Sequence, residues 1–420
     1  MFKFLKLKTH LLHLLKNNKI TYVSLFLRVA GLVGRVVLMF FLAKNLSVEE
    51  MGFYGLFTAT ITYALFIVGA DFYTFSEREI LKSTESDYSR IIKNHFIFFL
   101  CSYLFVFLSS ISLFIFKIIS WKWVSFFYLL LFLENFSQEL FRLLVSLKKV
   151  VLAQTVAFFR LGAWTYLLFF YAFFNFHIGL NEVFIFWILG SLTACLIGMW
   201  YLIKQDWFQW SSAKVDFFWI KKGIIASKMM FANTLCWRAL FSMDRYILLL
   251  FTDTSTLGIY SFYSNFSNSL LTLLDTGILS QYYPNLVQSY QNQKKDRADL
   301  KMNIVKKIIQ YGIAFSLIII VLVYSSFFFI QTKSYSHYWY ILILLLISNL
   351  IQSISFVPHY VLYALNKDKS IMVLSIQVLA IFCILSICMS YLLGIIGICF
   401  SFIISFLFLA VRKFNLTNEL

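Results

Sequence analysis

Long apolar runs constrain the fold of this chain more than any other feature. Runs of about 20 apolar residues match the thickness of the hydrocarbon core of a bilayer. Apolar residues make up 61% of the chain and charged residues 13%, whereas soluble proteins are about 25% charged. The sequence excludes a soluble globule and predicts an all-α polytopic membrane protein with about twelve transmembrane helices. The predicted spans are 20–43, 52–74, 94–116, 123–145, 151–173, 183–203, 226–251, 258–283, 304–330, 338–364, 371–392 and 394–411.

The distribution of basic residues predicts how these spans are oriented. With a cytoplasmic N-terminus, the cytoplasmic connections and tails hold 27 Lys and Arg residues, the outward connections hold 4, and five arginines lie inside spans. Because basic residues concentrate on the cytoplasmic side of membrane proteins, we expect both termini to be cytoplasmic. The anionic inner leaflet accounts for the net charge of +17, so no nucleic-acid partner is expected.

The spans predict two lobes between shorter flanking segments. The N-terminal segment has Lys and His at intervals of three and four among leucines, a pattern typical of an amphipathic helix lying on the membrane surface. The predicted organisation is an interfacial helix at 1–19, an N-lobe of six spans at 20–203, a cytoplasmic interlobe connection at 204–225, a C-lobe of six spans at 226–411 and a cytoplasmic tail at 412–420.

The two halves share a short internal repeat. SVEEMGFYGLF at 47–57 and TSTLGIYSFY at 254–263 align Gly52 with Gly258, at an offset of 206 residues. Six spans return the chain to the side on which it started, so the halves are predicted to be parallel repeats related by an axis along the membrane normal. Such repeats typically enclose a central cavity.

Each half also carries a pair of arginines inside an apolar run. RVAGLVGR contains Arg28 and Arg35, and RALFSMDR contains Arg238 and Arg245. A spacing of seven residues places both members of a pair on one helix face. Since an arginine at the bilayer centre costs roughly 2.5–3.5 kcal/mol, we expect a polar, anionic ligand inside the membrane. Depth favours Arg35 as the first ligand and Arg245 as the second, with Arg28 and Arg238 assisting from the cytoplasmic side.

These motifs resemble those of a known transporter family. The pattern of Arg28, Gly31 and Arg35 before LAKNLSVEEMGFYGLF and GADF, followed by MDRYILLLFTDTSTLGIYSFY and YYPNL, is similar to the Wzx-type O-antigen and capsular polysaccharide flippases. That family belongs to the multidrug/oligosaccharidyl-lipid/polysaccharide (MOP) exporter superfamily. The resemblance implies alternating-access movement of an undecaprenyl-pyrophosphate-linked oligosaccharide to the outer leaflet of the bacterial inner membrane. The implied partners are this lipid-linked glycan, membrane lipids and other polysaccharide assembly proteins.

Arginine suits such a cargo because its planar, permanently charged fork binds phosphate oxygens bidentately. The alternative is that the arginines pair with carboxylates in the same helices. Similar depths allow Arg28 to pair with Asp71 and Arg238 with Asp275. Asp244 is adjacent to Arg245 but points about 100° away around an ideal helix.

Two further carboxylates lie in the fourth span. Glu139 and Arg160 are each roughly 13 Å from the cytoplasmic end of adjacent helices, which predicts a structural pair. Glu134 lies at the depth of Arg35 and is expected either to pair with it or to take up a proton or sodium ion during coupling.

The eighth span is rich in hydroxyl and amide groups. They are expected either to line a glycan cavity or to form hydrogen bonds between helices. The candidates are Tyr260, Tyr263, Asn265 and Asn268.

No cofactor, metal site or enzymatic activity is expected. The six cysteines lack metal-ligand spacing, and no phosphate-binding glycine loop occurs. Two alternatives to a flippase remain open. A cation-coupled small-molecule exporter would depend on a carboxylate site and have dispensable arginines. A polysaccharide polymerase or ligase would need a substantial outward loop, and the outward connections are short.

Overall fold

The computed structural model describes residues 2–174, 177–211, 213–292, 296–330 and 333–419, with the side chains of 2–19 and of residue 333 outside that description. The described residues form helices and no strands, which confirms the all-α prediction. The helices are α1 (Phe2–Asn45), α2 (Val48–Gly69), α3 (Tyr73–Lys82), α4 (Glu85–Ile115), α5 (Val124–Ser146), α6 (Val150–Phe158), α7 (Trp164–Phe174), α8 (Leu180–Ile203), α9 (Phe217–Phe251), α10 (Thr254–Leu274), α11 (Ser280–Gln291), α12 (Arg297–Ser326), α13 (Lys333–His337), α14 (Tyr340–Ala364), α15 (Asp368–Leu393) and α16 (Ile395–Asn418).

Nine helices in the described part of the chain are long and apolar enough to cross a membrane. The chain is therefore a multi-pass membrane protein. The predicted spans at 123–145, 226–251 and 258–283 are also helical but are not among these nine. These three spans carry most of the buried charged and polar candidates, which lowers their hydropathy.

The N-terminal segment and the first predicted span form one continuous helix, α1. The side chains of 2–19 lie outside the described residues, so a position of this segment on the membrane surface stays a prediction.

The helices form two compact units. One unit comprises the chain up to Leu38 together with Ala64–Lys228, and the other comprises Met39–Tyr63 together with the chain from Met229 onward. Three long helices, α1, α2 and α9, therefore contribute residues to both units.

In the first unit, the predicted span 52–74 ends earlier than expected. Ala70 and Asp71 have φ values of 43° and 48°, in the left-handed region that non-glycine residues rarely adopt. This turn ends α2 at Gly69, and the chain continues as the short helix α3. The aromatic ring of Phe72, which follows Asp71, packs against Trp219 at the start of α9.

Two of the predicted spans are interrupted by a π-helical turn. Phe159–Ala163 joins α6 to α7, and Asp275–Leu279 joins α10 to α11. A π-turn inserts one extra residue, releases local carbonyl groups and is frequent at functional sites. Each π-turn here contains one charged candidate, Arg160 or Asp275.

In the second unit, the two repeat segments contact each other directly. A methyl group added to Gly52 would lie 2.1 Å from the carbonyl oxygen of Thr254, and one added to Gly258 would lie 1.9 Å from that of Val48. The 206-residue offset relates Gly52 to Gly258 and Val48 to Thr254, so the two contacts are equivalent to each other. The first turns of α2 and α10 thus pack backbone to backbone in a two-fold-like arrangement, which only glycine allows at these positions.

Candidate functional site

The arginine pair of α1 flanks a close helix contact within the first unit. A methyl group on Gly162 would lie 2.5 Å from the Cα of Gly31, so α1 contacts the π-turn almost backbone to backbone. The Tyr166 hydroxyl donates to the Ala30 carbonyl at 2.7 Å. Arg35 Nε donates to the Leu161 carbonyl at 3.3 Å. A guanidinium therefore supplies a hydrogen bond to a carbonyl of the π-turn.

Both arginines of this pair are exposed, although they lie on a membrane-spanning helix. The considered pairing of Arg28 with Asp71 does not form in the described part of the chain. Asp71 is instead 5% exposed at the turn after α2, and its Oδ2 has no hydrogen-bond partner. The turn that ends α2 early takes this carboxylate off the helix on which the depth comparison relied.

Glu134 lies at the centre of a buried polar cluster in the first unit. Its Oε1 accepts hydrogen bonds from Trp187 Nε1 at 2.7 Å and Ser191 Oγ at 2.6 Å. Its Oε2 lies 4.0 Å from Arg160 Nη1. Arg160 of the π-turn is thus an ion-pair partner of Glu134.

The predicted structural pair of Glu139 and Arg160 is replaced by two other pairs. Glu139 Oε1 accepts from Arg142 Nη1 at 2.5 Å, while Arg160 Nη1 donates to Gln138 Oε1 at 3.0 Å. The depth argument compared residues on two adjacent helices. It missed the local partner three residues along α5, although this spacing puts two side chains on one helix face.

In the second unit, Arg245 and Asp244 form a buried ion pair. Arg245 Nη1 donates to Asp244 Oδ1 at 3.2 Å and to the Phe241 carbonyl at 2.9 Å. The Tyr260 hydroxyl donates to Asp244 Oδ2 at 2.5 Å. The prediction that the adjacent side chains point apart fails because the long arginine side chain bends back along α9. Arg245 is 7% and Asp244 1% exposed, so both are held in the packed interior.

Arg238 and Asp275 are both exposed. Arg238 lies on α9, two helical turns before the buried pair, and Asp275 opens the second π-turn.

The polar residues of α10 mostly form hydrogen bonds within their unit. Tyr263 is buried, and its hydroxyl donates to the Tyr335 carbonyl. Asn265 Nδ2 donates to the Ser261 carbonyl one turn earlier. Asn268 Oδ1 accepts from Asn349 Nδ2 at 3.4 Å. For Tyr260 and Tyr263, the interior position favours helix-to-helix bonding over the predicted glycan lining.

Four site residues were missed by sequence reasoning: Trp187, Ser191, Arg142 and His95. Trp187 and Ser191 are one turn apart on α8, and only the packing of α5 against α8 brings them to Glu134. His95 Nε2 lies 3.9 Å from Glu139 Oε2. Among the described residues, no group of three or more His, Cys, Asp or Glu side chains is arranged to hold a metal ion.

No protein-family model and no curated protein matches the chain. Solved structures do match its fold. An inward-facing MATE family multidrug resistance transporter of the MOP superfamily superposes with a TM-score of 0.73 at 12% identity, covering 93% of this chain and 97% of the transporter. The lipid II flippase MurJ, in an inward closed conformation, gives 0.70 at 15% identity, covering 95% and 87%.

A third structure, the bent form of the MATE transporter VcmN from Vibrio cholerae, gives a TM-score of 0.52 at 14% identity, covering 96% of this chain and 95% of VcmN. At such low identities the similarity concerns the fold. The chain therefore has the transporter fold that MATE exporters share with the MurJ flippase.

Proposed function

We propose that this protein is a flippase that moves an undecaprenyl-pyrophosphate-linked oligosaccharide from the cytoplasmic to the outer leaflet of the bacterial inner membrane by alternating access. The observation that carries this proposal is the exposure of Arg28 and Arg35 on one face of the membrane-spanning helix α1. A charge in this position is costly unless it meets water or an anion. The likeness to a structure described as a lipid II flippase supports a lipid-linked cargo.

The pyrophosphate is the part of this cargo that most needs the protein, because its charges resist transfer into hydrocarbon. Arg28 and Arg35 are the side chains that we assign to it. Arg238 is an exposed arginine of the second repeat and has the same assignment. Arg245 is removed from this set because Asp244 and a backbone carbonyl hold it in the interior.

The assay for this proposal uses protein reconstituted in liposomes with a fluorescent polyprenyl-pyrophosphate oligosaccharide. Arrival of the glycan in the second leaflet is followed with a membrane-impermeant reagent that reacts with sugars. Arg35→Gln should abolish transfer and Arg28→Gln should weaken it, in protein that is correctly inserted. Arg90→Gln is the matched control, because Arg90 is exposed and pairs with Asp87 at the start of α4. Normal transfer by Arg35→Gln would remove that residue from the mechanism.

A cation-coupled exporter of small molecules is the second candidate. It is favoured by the likeness to MATE transporters and by the buried carboxylate of Glu134, a candidate for proton or sodium coupling. In this case Glu134→Gln should abolish ion-driven export while Arg35→Gln retains it. If the protein is a flippase, Arg35→Gln should abolish glycan transfer while Glu134→Gln retains it. Assaying the two variants side by side therefore distinguishes the two functions. Neither candidate function requires a chemical reaction, and we do not propose an enzyme.

A further inference from the structure

A cavity of about 430 Å³ lies wholly within the first unit, among α3, α4, α5, α8 and the connection after α8. Most of its wall is aromatic or aliphatic. The seven aromatic side chains are Tyr73, Phe96, Phe99, Phe132, Phe136, Phe208 and Trp210. This size and this lining, with a few polar groups at one place, are typical of ligand pockets. Of the predicted site residues, only Glu139 borders it.

The polar groups of the cavity are the carboxylates of Glu77 and Glu139, the guanidinium of Arg142, the imidazole of His95 and the hydroxyls of Tyr73 and Ser76. Arg142 bonds Glu139 through Nη1, and its guanidinium carbon lies 3.6 Å from the centroid of the Tyr73 ring. A guanidinium carries five N–H donors, so Arg142 has donors left for a second acceptor. Glu77 of α3 borders the same cavity. The pKa of Glu77 is raised, because burial and the nearby charge of Glu139 outweigh the lowering by Arg142.

One end of the cavity lies near the ends of α4 and α8, where we expect lipid headgroups. Ile203 in its wall is the last residue of α8, and Ile91 is roughly 9 Å along α4 from the first residue of that helix. The connection after α8 is fixed there, because Lys93 Nζ donates to the carbonyls of Trp210 at 3.0 Å and Ala213 at 2.8 Å.

We propose that this cavity binds a phospholipid with a primary ammonium in its headgroup, of the phosphatidylethanolamine class. An acyl chain fills the aromatic-lined space, where burial of each CH₂ contributes about 0.8 kcal/mol. The phosphate accepts hydrogen bonds from Arg142, and the ammonium donates to the carboxylates of Glu77 and Glu139. Phosphatidylglycerol offers these two carboxylates hydroxyl donors but no cation, and the quaternary ammonium of phosphatidylcholine has no N–H to donate.

Binding is tested on the full-length protein by native mass spectrometry with added phosphatidylethanolamine, phosphatidylglycerol or phosphatidylcholine. We expect phosphatidylethanolamine to bind about tenfold more tightly than the other two. Ile92→Trp fills the cavity and should weaken this binding about tenfold. Ile97→Trp is the matched control on the same helix, because Ile97 is also partly buried but does not border the cavity. Glu77→Gln should remove the preference over phosphatidylcholine.

Unchanged binding by Ile92→Trp would overturn the assignment of the cavity, and equal binding of phosphatidylglycerol would overturn the assignment of the ammonium. A phosphatidylethanolamine with a photoreactive group in its acyl chain provides a second measurement that needs no variant. Labelled peptides should come from α4, α5 and the segment around Trp210, and labelling confined to other helices would refute the site. Neither measurement depends on transport, so the result is independent of the proposed flippase function.

Discussion

Arginines inside the membrane-spanning part of this chain have two different environments. Arg28, Arg35 and Arg238 are exposed, whereas Arg245 is buried against Asp244. Arg160 is also largely enclosed, beside Glu134. The sequence predicted all five as intramembrane charges but could not separate these environments, because spacing gives a helix face and not the neighbour that covers it. Exposure, more than depth, now selects the candidates for ligand binding.

The buried ion pair predicts a stability effect for the Arg245→Gln variant. Removing one partner leaves the other charge buried and uncompensated, which costs about 3–5 kcal/mol. Arg245→Gln should therefore lower the thermal unfolding temperature of the purified protein, and adding Asp244→Asn should recover much of the loss. Arg238→Gln, on the same helix, serves as the control and should leave the unfolding temperature nearly unchanged. If Arg245→Gln is as stable as the control, the pair contributes little to the fold.

At the level of the elements, the π-turn at Phe159–Ala163 is the feature that sequence reasoning could not supply. The run 151–173 was predicted as one span, and the structure does form helix throughout that run. One residue inserted into a helix changes the spacing of apolar residues too little to be detected within a single turn. The consequence is large at the site, because this turn contains both Arg160 and the Leu161 carbonyl to which Arg35 donates.

The contact between α1 and this π-turn predicts that Gly162→Ala destabilises the protein and that Gly277→Ala does not. Gly162→Ala places a methyl group 2.5 Å from the Cα of Gly31, and such overpacking costs about 1–3 kcal/mol. Gly277→Ala is the matched control, since Gly277 also lies in a π-turn and a methyl group there would meet nothing within 4 Å. Thermal unfolding in detergent should be lowered only for Gly162→Ala. Equal unfolding temperatures would show that α1 can move away from the turn without loss.

The start of α10 predicts a pH-dependent contribution to stability. Asp253 Oδ1 caps this helix by accepting from the Thr256 amide at 2.7 Å, and hydrogen bonding to Thr256 lowers the pKa of Asp253. A lowered carboxyl pKa stabilises the folded state above the ordinary pKa, and this stabilisation is lost as the pH falls through the lowered value. Asp253→Ala should cost about 0.5–2 kcal/mol at neutral pH. Unfolding measured at pH 7 and at a pH below the lowered pKa should show the difference between the two proteins only at pH 7.

For the whole molecule, the sequence predicted the class and much of the organisation. The apolar runs and the repeat at 47–57 and 254–263 can be recognised in one sequence without knowledge of helix packing. Pairings between helices were less accessible, because each depends on a neighbour brought in by packing. Glu134 shows the difference, since its hydrogen-bond partners come from a helix more than 50 residues away.

The glycine contact between the repeats predicts two severely damaging substitutions. Gly52→Ala or Gly258→Ala would place a methyl group about 2 Å from a backbone carbonyl oxygen, which no side-chain movement can relieve. Each variant should give little monodisperse protein in fluorescence-detected size-exclusion chromatography. The double variant should be scarcely worse than either single one, because both disturb one contact. Gly31→Ala is the control, with its nearest contact at an ordinary 3.9 Å.

This glycine contact also sets an order of events during biosynthesis. Gly52 leaves the ribosome 206 residues before its partner Gly258, a delay of roughly 10–40 s at usual rates of synthesis. Through that interval the beginning of α2 has lipid or an insertion factor where α10 will later lie. The second unit can therefore be completed only after the second half of the chain is made. If the ribosome stalls before Gly258, the surface of α2 around Gly52 is left without α10 to cover it.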